Sequence, residues 1–127
     1  MDNCIFCNII KGKSPCYKIY EDEDVLAFLD ISQKYFGHTL IVPKKHSVNT
    51  LDCDDEVLKK VILVVKKIAK HYVDSCNISG VNIVNNNGID AGQMVAHLHY
   101  HIIPQGKECK GKEKMDLSKQ QEILKLN

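Results

Sequence analysis

Residues 97–104 read His-Leu-His-Tyr-His-Ile-Ile-Pro, and no other stretch of the chain narrows the fold as far. Alternation of polar and apolar residues is the period of an extended strand, whose successive side chains point to opposite faces. His97, His99 and His101 are therefore expected on one face, with Leu98, Tyr100 and Ile102 turned into a core. Three imidazoles on one face can hold a metal, exchange protons near neutral pH, or attack phosphorus or an acyl carbon. Packing alone does not account for them, because an apolar face would hold the strand without polar groups to satisfy.

The chain has 127 residues, enough for one domain with a real core and too few for two. Its apolar content of 44% and charged content of 26% are those of a globular protein. A net charge of +1 argues against nucleic acid or an anionic membrane as a bulk partner. No apolar run reaches membrane-spanning length, and Met1-Asp2-Asn3-Cys4 lacks the start of a signal peptide, so a cytoplasmic protein is predicted. Six cysteines fit a reducing compartment. Cys4 and Cys7 form a Cys-x-x-Cys pair suited to metal or redox chemistry, and Cys16, Cys53, Cys76 and Cys109 are scattered thiols.

Ile5, Phe6, Ile9 and Ile10 recur at helical spacing, and Gly12 closes that turn. Residues 17–20 and 25–30 read as a hairpin around the acidic turn 21–24, and residues 37–42, ended by Pro43, as a third strand beyond the polar loop Ser32-Gln33-Lys34. Val57, Leu58, Val61, Ile62, Val65, Ile68, Ala69, Tyr72 and Val73 form the apolar stripe of a long helix, capped by Asp52 or Asp54. Its lysines read as a solvated face, and His71 as a surface residue. A fourth strand over 81–85, a polar glycine-bearing loop over 86–93 and the histidine strand follow, with a short amphipathic helix over 116–126. This order predicts an α+β fold, an antiparallel sheet covered by one long helix with a short N-terminal helix.

The run from His97 to Ile103 fits the signature of the histidine triad (HIT) family, and the chain resembles the Hint-like, bacterial-type branch. The match includes Asp30-Ile31-Ser32, residues 37–46, Asn86-Asn87-Gly88 and Ala91-Gly92-Gln93, and covers roughly residues 4–104. The resemblance implies one HIT domain over 1–127, with 105–127 as a C-terminal extension, and a five-stranded sheet that pairs with a second copy in a homodimer. It also implies cleavage of purine nucleoside 5′-phosphoramidates at the α-phosphate. By motif position His99 is the nucleophile and forms a nucleotidyl-histidine intermediate. His101 bonds a phosphate oxygen and helps protonate the leaving group, and His38 orients the triad from behind. Backbone N–H groups of residues 88–93, among them Gly92, would cradle the phosphate, with Gln93 donating from its side chain. Ile5, Phe6, Ile9, Phe28 and Ile31 would surround the base, although each could equally be core. Asp30 would bind the ribose hydroxyls, and Asn86, whose neighbour Asn85 competes for the assignment, would support the ribose or phosphate. Some Hint members carry a hydroxyl residue where this chain has Met94, which puts turnover and leaving-group preference in question.

Cys4 and Cys7 alone make half of a tetrahedral site. His46 and His97 are the candidates for the other half, an arrangement that bacterial-type members resemble, which implies a structural zinc and no catalytic metal. In that case His97 is a ligand rather than an acid or base. Other readings stay open. One is hydrolysis of dinucleoside polyphosphates, and another is a zinc-stabilised nucleotide-binding regulatory protein with little turnover. A third places all three triad histidines on one metal; period-two spacing argues against it, because it spreads their Cα atoms over ~13 Å.

Overall fold

The computed structural model describes residues 3–32 and 34–127. Met1 and Asp2, which entered the signal-peptide reading, and Gln33 of the polar loop lie outside the described residues. Helix α1 (Ile5–Ile10) precedes the hairpin of β1 (Lys18–Glu21) and β2 (Val25–Leu29), then β3 (Thr39–Pro43) and the long helix α2 (Asp55–Ser75). Strands β4 (Gly80–Val84) and β5 (Tyr100–Gln105) follow, and α3 (Leu117–Leu124) ends the series. The strands form one antiparallel sheet in the order β1-β2-β3-β5-β4. This is the α+β architecture expected from the sequence.

Both faces of the central strands are covered, and the period of two sorts their side chains. Val25, Ala27, Leu29 and Ile41 pack with Val61, Val65, Ile68 and Tyr72 of α2. Leu26, Phe28, Leu40 and Val42 pack on the other face with Phe6 of α1. Every residue of β2 and β3 is buried as a result.

Helix α2 buries Val61, Val64, Val65, Ile68, Ala69 and Tyr72. Ile62 and Val73, placed by sequence in the apolar stripe, are 43% and 40% exposed, as is Leu63 at 63%. At 3.6 residues per turn Ile62 lies about 100° around the helix from Val61 and Val64 about 60° to the other side, so the buried stripe runs through Val64 and leaves Ile62 outside. The cap also differs from expectation. Asp54 holds the N-cap position without a side-chain bond, whereas Asp52 closes a capping box with Asn49 on the short turn Thr50–Asp52. Among the described residues no helix is long and apolar enough to cross a membrane.

Residues beyond 104 are built into the fold. Gln120 and Leu124 are fully buried. The Gly37 N–H donates to Gln120 Oε1 at 2.9 Å, and the Leu126 N–H to the Ile19 carbonyl at 2.9 Å. Gly37 has φ +71°, which favours glycine, and a Cβ there would stand 2.8 Å from Leu124 Cδ1 and force that side chain to shift. His71 is not a free surface residue: its Nε2 lies 3.0 Å from the Leu124 carbonyl and ties α2 to α3. The spacing of α2 could not reveal this, because the partner is 53 residues away.

Candidate functional site

The histidine run is regular strand only from Tyr100 onward; His97 sits in a bend and His99 in irregular chain before it. Leu98 and Ile102 are fully enclosed and Tyr100 packs half-buried against the core as expected, but His97 and His99 are buried too, so burial does not alternate here. The three histidines nevertheless divide between two sites. His97 turns its Nδ1 toward Cys4, Cys7 and His46, while His99 and His101 line a cavity of about 410 Å³ on the α1 face of the sheet.

One wall of that cavity is apolar, made by Ile5, Phe6 and Ile9 of α1 and by Phe28 and Leu40 of the sheet. Asp30, Ile31, Ser32, Asn86, Gly92 and Met94 complete it beside the two histidines. Phe6 stands edge-on to Phe28 at 5.6 Å and to His99 at 5.2 Å between ring centroids, so α1 joins the apolar wall to the histidines. Ile31 and Met94 stand at the mouth, 76% and 91% exposed. Of the residues that the resemblance placed around the nucleotide, Gln93 alone is not brought to the wall. Its Nε2 donates to the Val48 and Val95 carbonyls, and its Oε1 accepts from the Gly88 N–H and Asn49 Nδ2. All of its donors are taken up in bracing the 86–95 loop, which corrects the expectation that it points at a phosphate. Asn86 lines the cavity, whereas Asn85 turns beneath His99. Pro15, Cys16 and Val95 also line it, and no spacing signal in the sequence marked them.

The hydrogen bonds at His99 and His101 set their chemistry. His99 Nδ1 lies 2.8 Å from the His97 carbonyl, which only accepts, so Nδ1 carries the proton and Nε2 its lone pair. Burial lowers the proton affinity of this ring. His101 Nδ1 lies 2.9 Å from His38 Nε2, and Asp30 Oδ2 stands 3.6 Å behind His38 Nδ1. Asp30 Oδ1 accepts from the Ser32 N–H and hydroxyl, which holds the carboxylate at the cavity edge. The result is a carboxylate–imidazole–imidazole line ending in the cavity.

Burial, with His99 and His38 alongside, pushes His101 down to about 4 from 6.5. Its unfolded counterpart takes up a proton near pH 6.5. As pH falls from 6.5 to 4 the unfolded chain binds more protons than the folded one, and stability is lost. Below that window both forms are protonated and the loss is complete. His101→Gln should therefore lose less stability than the parent chain between pH 7 and pH 5. The expected difference is about 1 kcal/mol, discounted for solvent reaching the half-buried ring. Urea midpoints of chelator-treated protein at the two pH values check this, and equal losses in both proteins would refute it.

The second cluster fits a metal ion. Cys4 Sγ lies 3.4 Å and Cys7 Sγ 3.5 Å from His97 Nδ1. Cys7 Sγ is 3.3 Å from His46 Nδ1, and the two Nδ1 atoms are 3.0 Å apart. Zinc bonds of 2.0–2.3 Å in a tetrahedron place ligand atoms roughly 3.3–3.8 Å apart. His97 Nε2, 2.9 Å from the Pro43 carbonyl, carries that ring's proton and leaves Nδ1 as a donor atom toward the cluster. Cys4, Cys7, His46 and His97 can hold a metal ion together.

A profile of the HIT domain matches residues 11–108. The chain belongs to the HIT family. The HIT family is one of nucleotide-binding hydrolases. Protein hit of Bacillus subtilis is 53% identical over 103 residues, covering 81% of this HIT chain and 71% of its own length. Adenosine 5′-monophosphoramidase hnt1 of Schizosaccharomyces pombe is 41% identical over 106 residues, covering 84% and 77%. The crystal structure of a zinc-bound histidine triad family protein from Mycobacterium smegmatis superposes with a TM-score of 0.86 at 34% identity, covering 97% of this HIT chain and 91% of that one.

Proposed function

We propose that this chain hydrolyses purine nucleoside 5′-phosphoramidates at the α-phosphate through a nucleotidyl-His99 intermediate. The observation that carries the reading is the bond from His99 Nδ1 to the His97 carbonyl, which leaves a neutral Nε2 nucleophile on the cavity wall. The apolar wall of Phe6, Ile9 and Phe28 takes the base, and Asp30 the ribose hydroxyls. The name of the S. pombe relative supports the same activity.

Nε2 of His99 attacks the α-phosphorus and the P–N bond to the amine breaks. Beside the bound phosphate anion His101 gains proton affinity, and it gives its proton to the leaving nitrogen. Water then attacks the phosphorus and returns a proton to His101; the bond from phosphorus to Nε2 breaks and the nucleoside monophosphate leaves. His38 and Asp30 hold His101 in line. Cys4, Cys7, His46 and His97 hold a structural zinc, which when bound supplies a crosslink between α1, the 43–47 segment and the approach to His99. We assign the homodimer to the edge strand β4, where Ile83 is 48% exposed. A cytoplasmic setting agrees with six unpaired thiols.

Met94 favours a second reading, nucleotide binding with little turnover, because it puts an exposed thioether rather than a hydroxyl at the mouth. Intact-protein mass spectrometry after brief incubation with an adenosine phosphoramidate separates the two. Phosphoramidase activity gives an AMP-sized adduct, after mild denaturation that spares the P–N bond, together with free amine. Nucleotide retained in the native spectrum with neither adduct nor amine supports the second reading instead. The same native spectrum reads zinc content and dimer mass.

A further inference from the structure

His99 lies one residue beyond the ladder that pairs β5 with β3 and two beyond the ladder that pairs it with β4. The last pair against β3 is Ile41 with Tyr100, and the last against β4 is Val84 with His101. The sheet therefore does not fix the backbone of the nucleophile. We propose that Asn85 is the positioning residue that fixes it, an assignment that rests on reading His99 as the nucleophile.

Asn85 Nδ2 donates to the His99 carbonyl at 3.0 Å, so a side-chain amide takes over where the backbone ladder stops. The orientation of the amide is set from its other end. Its Oδ1 accepts from the Thr50 hydroxyl at 2.7 Å and from Asn87 Nδ2 at 2.7 Å, which turns the NH2 group to His99. Asn87 Oδ1 in turn accepts from the Thr50 N–H at 2.8 Å. The same segment takes the Leu98 N–H through the Ser47 carbonyl at 2.8 Å. The His99 ring is held at Nδ1 by the His97 carbonyl, and its backbone by Asn85. A ring held at Nδ1 on a backbone free to rotate would carry Nε2 off the phosphorus, and displacement by about 1 Å lowers a rate by as much as ~10²-fold. Asn86, not Asn85, lines the cavity, so this role falls on the chemical step and not on nucleotide binding.

Asn85→Ala and Asn85→Asp test the assignment, with steady-state release of amine from an adenosine phosphoramidate as the main readout. The aspartate keeps the acceptor for Thr50 and Asn87 but loses the donor to His99. Both variants are expected to lower kcat by about 10- to 100-fold, with KM, AMP affinity and melting temperature close to those of the parent. Thr50→Val, which frees the amide to turn, should lower kcat less and add nothing further in the Asn85→Ala background. Parent-like kcat in Asn85→Asp overturns the assignment. So does a loss of kcat that tracks lost AMP affinity and melting temperature, which marks a merely structural residue. If Asn85→Ala does not fold, Asn85→Asp decides. Absence of amine release by the parent chain itself overturns the phosphoramidase reading, and this one with it.

Discussion

His99→Ala is expected to lower amine release from an adenosine phosphoramidate by on the order of 10⁴-fold or more, while AMP still binds. The size of the loss follows from how the imidazoles are committed. His101 is bonded to His38 at 2.9 Å and serves as proton carrier. His97 faces two thiols and His46, with its other nitrogen against the Pro43 carbonyl. Neither ring can take over attack on phosphorus, and water loses the advantage of dividing one displacement into two. Base binding is spared, because Ile9, Phe28 and Leu40 line the wall independently of His99. Release of amine from substrate and calorimetric binding of AMP are the two measurements. Residual turnover within tenfold of the parent would place the nucleophile elsewhere.

Removal of the metal should have the larger effect on stability. An ion held 10³-fold more tightly than its free concentration adds about 4 kcal/mol to the folded state. In a domain of this size that corresponds to roughly 12–20 °C in melting temperature. Chelation of the parent should give such a drop, and Cys7→Ser should show it before chelator is added and respond little afterwards. The crosslink joins segments far apart in sequence, with Cys4 and His97 separated by 93 residues and Cys7 and His46 by 39. A melting temperature unmoved by chelator, with no stoichiometric metal by elemental analysis, would remove zinc from the account.

The elements were legible wherever local period decides them. The apolar runs expected as strands over 25–30 and 37–42 and the 3.6-residue spacing of α2 come through in the sheet and the helix. The cavity was legible only through the motif, since Ile9 or Phe28 alone reads as core. What escaped the sequence depends on partners far along the chain. Gln93 appears beside a phosphate loop, yet its amide is consumed by Val48, Val95, Gly88 and Asn49. Asn85 and Asn86 are chemically identical neighbours, and only the point where β4 leaves the ladder turns one toward the cavity and the other beneath His99. His71 carries no motif because its partner is a backbone carbonyl of α3.

The seating of α3 beneath Gly37 links the last helix to the histidine line. The Gly37 N–H is held by Gln120, Leu124 fills the space beside it, and His38 is the next residue. Residues 117–124 follow every residue that lines the cavity. The turn that carries His38 is thus closed from 83 residues further along the chain, by a segment outside the cavity lining. A helix that contributes no atom to the cavity therefore takes part in holding the loop before β3 in place, and the end of the chain is tied to the chemistry through Gly37.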